Sequence, residues 1–193
     1  MAPPMHLHWE RRLAIALSVA RGVASIHSGG PWSYHGNIKS SNVLLTCDLD
    51  EAAPAAVLSE HGLAALAGPS SLKRMVSSGY LAPEVTAAAS GLSQEADIYS
   101  FGVLLIELLT GRDPRTAMEL PLWLYSVPPE SWLHEALDPE LVADEQQQDA
   151  VAQGLSQLLQ LAMDCCTCLE LRPAMRMVVR RIEETLAHAQ TEL

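Results

Sequence analysis

His35, Asn37, Lys39 and Asn42 fall within eight positions and run straight into the apolar triplet Val43-Leu44-Leu45. The amide at position 37 keeps the shape of a carboxylate and can hydrogen-bond. It is no base near neutral pH, so it cannot take the proton from a hydroxyl nucleophile. Further on, Ser59-Glu60-His61-Gly62 sets a carboxylate beside an imidazole. Glu60 could reach a cation together with Asn42, or it could be a solvated or structurally paired glutamate. Ser70, Ser71, Ser77 and Ser78 flank Lys73-Arg74 in a stretch rich in Gly, Ser and Pro. Serines beside basic residues are candidate phosphorylation sites, and plain loop solubility explains them equally well. The cysteines offer less chemistry. Cys47 is isolated, while Cys165, Cys166 and Cys168 crowd one helical stretch, which is not zinc-site spacing. Small buried thiols are the simpler reading.

The elements around these groups follow from periodicity. From Trp9 to His27 the residues Leu13, Leu17, Ala20, Ala24 and His27 recur at helical spacing, and Gly29-Gly30-Pro31 stops the helix. Val43–Leu45 and Ala56–Leu58 read as two strands of a small hairpin around the turn-rich residues Cys47 to Pro54. Glu60 to Gly79 has the composition of a loop. Gln94 to Leu109 is apolar on every side, which marks a buried helix, and Thr110-Gly111 followed by Asp113-Pro114 ends it. Pro121 to Tyr125, Gln153 to Cys166 and Pro173 to Gln190 read as three further helices, with Pro173 in a first turn. Trp123 and Trp132 bracket Val127-Pro128-Pro129, where they could anchor a partner or pack under a loop. The expected fold is mainly α, with two short β-hairpins.

Five of these segments, in order, resemble the protein kinase superfamily. His35-Gly36-Asn37-Ile38-Lys39-Ser40-Ser41-Asn42 resembles the catalytic loop pattern H-R-D-L-x-x-x-N, with Gly36 for the arginine and Asn37 for the aspartate. Ser59-Glu60-His61-Gly62 falls where kinases carry D-F-G. Gly79-Tyr80-Leu81-Ala82-Pro83-Glu84 resembles the G-Y-x-A-P-E that closes the activation segment. The run from Asp97 to Gly111 resembles the central helix of the large lobe, and Leu171-Arg172-Pro173-Ala174-Met175 the R-P-x-M before the last helix. The wording is most similar to plant leucine-rich-repeat receptor-like kinases, many of them pseudokinases. The resemblance implies an α+β kinase-like domain over residues 1–193, its large lobe only. Its parts are a catalytic-loop region 35–45, an activation-like segment 60–84, a central helix 95–110 and C-terminal helices 150–190. None of the eleven glycines forms a G-x-G-x-x-G, and no lysine precedes Lys39. The small lobe that roofs the ATP site is therefore expected to be missing, leaving an apolar, adhesive face.

What the resemblance implies for single residues is specific. Asn37 takes the place of the catalytic base and Lys39 that of a phosphate-contacting lysine. Asn42 and Glu60 stand at the metal positions, and their plainer alternatives are a loop-capping asparagine and a solvated glutamate. Lys39 could equally be a surface lysine. Gly36 removes an arginine that reads activation-segment phosphate in many kinases. His35, Gly62, Glu84, Asp97 and Arg172 stand at fold-holding positions, Asp97 accepting hydrogen bonds from the catalytic loop and Glu84 pairing with Arg172. ATP and magnesium come from the resemblance alone, so no cofactor or metal is assigned.

Composition narrows the partners. At 193 residues and 49% hydrophobic, one domain with a sizeable core is expected. With 12 basic against 23 acidic residues the net charge is −11, which disfavours nucleic acid and anionic membranes. No apolar run approaches the roughly 20 residues of a membrane span. The expected location is cytoplasmic, relatives being plasma-membrane receptors with a cytoplasmic kinase domain. The function expected is an inactive, docking pseudokinase module whose partner is an active kinase, a receptor or a substrate. Two alternatives are a serine/threonine kinase working through a rearranged site and a truncated product of a full-length receptor-like kinase.

Overall fold

The computed structural model describes residues 7–46, 55–62, 79–87, 91–115, 118–141 and 148–191. Its main helices are α1 (Trp9–His27), α2 (Pro83–Ala87), α3 (Gln94–Thr110), α4 (Glu119–Ser126), α5 (Gln148–Cys165) and α6 (Met175–Thr191). Strands β1 (Val43–Leu45) and β2 (Ala56–Leu58) pair antiparallel, with Leu44 opposite Val57. Among the described residues this is the only sheet, so one of the two expected hairpins is present.

α3 is the axis of the molecule because its sequence offers no polar face. Ser93 starts it, its Oγ accepting from the Ala96 amide at 3.2 Å, and Gly111 ends it in the left-handed region at φ 67°. Nearly every residue between is buried, and α1, α5 and α6 contribute to the same core. Gly102 lets α5 come close. A Cβ there would lie 2.7 Å from Cys166 Sγ and 2.9 Å from the Ala162 carbonyl. α6 is amphipathic, burying Met175, Val178, Ile182 and Thr185 at helical spacing and packing on α1 and α5.

Three helix boundaries differ from expectation. α4 begins at Glu119 rather than Pro121, because the Met118 carbonyl accepts from Leu122 N at 3.0 Å. Pro121 then lies in the first turn, where its missing N–H is no loss. α5 begins five residues before Gln153, and α6 begins at Met175 rather than Pro173. There the Ala174 carbonyl takes the first amides, those of Met177 and Val178. A buried ion pair ties α1 to the chain beyond α3. Arg12 bonds Asp138 at 2.7 Å and the Leu108 carbonyl at 2.9 Å.

Candidate functional site

The loop from His35 to Asn42 is hung on Asp97, a buried carboxylate of α3. Its Oδ1 accepts the Gly36 amide at 2.8 Å, and its Oδ2 accepts the His35 amide at 2.6 Å. His27 Nε2, at the end of α1, lies 2.9 Å from the same Oδ2. Gly36 takes φ 75°, a left-handed turn that glycine adopts without Cβ strain. Gln94 holds the approach to the loop. Its Nε2 lies within 3.0 Å of the His27, Gly30 and Ser33 carbonyls.

His35 is neutral, with its proton on Nε2. Nδ1 accepts the Asn37 amide at 3.2 Å, and Nε2 lies 2.9 Å from the Ser59 carbonyl, which can only accept. Burial lowers its pKa, against the raising effect of the Ser59 bond and the Asp97 charge. Through this ring the loop is fastened to the segment that carries Glu60.

Asn37 and Glu60 meet. The Asn37 Nδ2 donates to Glu60 Oε2 at 2.9 Å in an exposed contact. Glu60 itself sits at φ 67°, an uncommon conformation for a residue with a Cβ, and Gly62 follows at φ 82°. Asn42 points the other way. Its Nδ2 donates to the Asn37 carbonyl at 2.8 Å, and its own carbonyl accepts from the Ser59 amide at 2.8 Å. Lys39 is half-buried, with no side-chain hydrogen bond or ion pair among the described residues. His61 lies against His35, ring centroids 6.0 Å apart.

At the metal positions Glu60 accepts the Asn37 amide through Oε2, and the Asn42 Nδ2 donates inside the loop. Among the described residues no three His, Cys, Asp or Glu side chains gather as metal ligands. What the arrangement can do is hold a loop in shape, with an amide where a proton acceptor would be needed.

Glu84 and Arg172 form a bidentate pair at 2.5 and 2.9 Å, and Arg172 also bonds the Thr167 and Glu95 carbonyls. Burial alone would raise the Glu84 pKa, but the Arg172 bonds and charge outweigh it and hold the carboxyl below its ordinary value. Ser70, Ser71, Ser77, Ser78 and Cys47 lie outside the described residues, as does most of segment 60–84. Trp132 is buried, its Nε1 donating to the Val127 carbonyl at 3.0 Å. Trp123 lies under the Arg112 guanidinium, 3.9 Å from its centroid.

Sequence reasoning missed a second polar chain behind the loop. The Tyr80 hydroxyl donates to Glu107 of α3 and lies 2.9 Å from Ser40 Oγ. Burial pushes the Glu107 carboxyl up, partly offset by those two hydroxyls. The sequence held only half the signal: Glu107 is the one carboxylate of the apolar run Val103–Leu109 and needs a partner, but nothing local names it.

The protein kinase domain family matches residues 5–184. The chain is 45% identical over 189 residues to "Probable inactive receptor kinase RLK902" of Arabidopsis thaliana, covering 94% of this chain and 28% of that protein. It is 36% identical to the "Leucine-rich repeat receptor-like protein kinase PXC1" of the same plant, over 92% of this chain and 28% of the relative. The chain thus spans about a quarter of the length of the curated relatives it matches. Two solved structures are similar. The maize SIRK1 kinase domain bound to AMP-PNP gives a TM-score of 0.77 at 29% identity, covering 96% of this chain and 61% of that one. The pseudokinase domain of BIR2, an immune regulator, gives 0.75 at 26% identity, with 94% and 54% covered.

Proposed function

The chain belongs to the protein kinase domain family, in its plant leucine-rich-repeat receptor-like kinase branch, and we propose that it is a pseudokinase module that docks other proteins and transfers no phosphate. The mainly helical fold supports reading the chain as the large lobe of that domain. The observation that carries this reading is the Asn37–Glu60 hydrogen bond. The residue at the base position is an amide that donates to the residue at the metal position and cannot accept a substrate proton. No step of phosphoryl transfer is assigned to Lys39 or Asn42.

Two further features support docking. The chain is similar to proteins named probable inactive receptor kinases and to the BIR2 pseudokinase domain. The β1–β2 hairpin presents an apolar face beside the loop, with Leu44 56% and Val57 48% exposed. Among the described residues no helix is long and apolar enough to cross a membrane, and the relatives are receptor kinases.

The test is phosphotransfer from magnesium-ATP to a generic serine/threonine substrate, run with a thermal melt. No transfer is expected, and Asn37→Asp alone restores none. The melting midpoint should not move with nucleotide, although a ligand bound at about 100 times its dissociation constant stabilises by roughly 2.7 kcal/mol. Transfer abolished by Lys39→Ala would overturn the reading.

A further inference from the structure

A second site shares no residue with the Asn37–Glu60 edge. An open groove of about 980 Å³ runs between α2, α4, the end of α5 and the α5–α6 connection. Its rim is apolar and in water, Tyr125 80%, Leu171 70% and Leu122 58% exposed. Such an exposed apolar patch, with Asp164, Glu170 and Arg181 around it, marks an interaction surface. Tyr99 lines the groove and is 1% exposed, yet its hydroxyl has no hydrogen-bond partner among the described residues. A buried donor without an acceptor is costly unless something supplies one.

The charges at the groove select the occupant. Arg172 is committed to Glu84, and Arg181 to Asp164 at 2.6 Å. Glu170 is exposed and has no partner among the described residues, so the uncompensated charge is negative, as is the chain's net −11. A second copy would bring the same negative charge against it.

We propose that this groove docks a partner's peptide segment with apolar anchors on one face and Lys or Arg beside them. The anchors cover Leu122, Tyr125 and Leu171, a basic side chain meets Glu170, and an acceptor on the segment takes the Tyr99 hydroxyl. The proposal rests on the docking reading and gives it a place and a chemistry.

Cys168 provides the test, being an exposed thiol of the groove lining, while Cys165 is buried and burial raises the Cys166 thiol well above its ordinary pKa. A synthetic peptide with leucines at helical spacing, lysines beside them and one terminal activated disulfide is incubated with the full chain carrying Cys47→Ser. Intact mass should show an adduct that Cys168→Ser removes and that the unlabelled peptide prevents. Leu122→Glu with Leu171→Glu should lower its yield at least about tenfold. Glu170→Lys should lower it several-fold at low salt and little at 0.5 M. Equal yield from a glutamate-for-lysine peptide, or indifference to the leucine changes, overturns the proposal. So does a dimer in sedimentation that the leucine changes dissociate, which would make a second copy the occupant. Phosphate transfer by the chain would overturn the docking-only reading and leave these outcomes unchanged.

Discussion

Asp97 and Asn37 belong to one loop assembly, and their surroundings differ at every level. Asp97 is buried, and both its oxygens are filled by the His35 and Gly36 amides and the His27 ring. Asn37 is half-buried, and its side chain has one exposed hydrogen bond, to a glutamate in a left-handed conformation. The interior frame keeps every group whose loss would leave a charge or amide unpaired in low dielectric. The solvent edge has changed at positions where a substitution alters chemistry and hardly alters stability. In such an arrangement a change at the edge costs the fold little.

The largest effect should come from the frame. Asp97→Ala leaves two buried amides without an acceptor and should cost about 3–5 kcal/mol. Urea unfolding would show it, and a loss under about 1 kcal/mol would break the contrast between frame and edge. Arg172→Met should cost about 3 kcal/mol, since Glu84 keeps some contact with water. This pair also sets a pH dependence. The folded Glu84 pKa lies below its unfolded value, so the stabilisation is full above about pH 4.3 and is lost as pH falls through the lowered value. Acid unfolding of Arg172→Met should therefore be shallower in that range than that of the parent chain.

Gly102→Ala comes next. The added methyl meets Cys165 Cβ at 2.8 Å and the Ala162 carbonyl, so α3 and α5 must separate, at about 1–3 kcal/mol by thermal melt. The smallest effect belongs to the edge. Asn37→Ala removes only an exposed hydrogen bond and should change stability by less than about 0.5 kcal/mol. A loss of several kcal/mol there would make the edge part of the frame.

Much of the frame was readable in the chain. Asp97 stands in a helix with no other polar face, and Glu84 and Arg172 stand in motif wordings that the family pairs. The helices were readable because burial imposes a period, and α1 spans the residues expected of it. Their ends were less so, since α4 and α6 begin where a particular carbonyl finds a particular amide. The Ser40–Tyr80–Glu107 chain was not legible. Its members lie 40 and 27 positions apart, and nothing local requires them to meet.

By itself, the sequence determined the family, the mainly helical fold and the amide at position 37, because residue type and spacing act locally. Only the tertiary structure decided that Asn37 bonds Glu60, that Asn42 turns inward, and that α2, α4 and the α5–α6 connection enclose a groove over Tyr99. Those facts depend on which distant surfaces pack together, and that choice is made by the whole core at once.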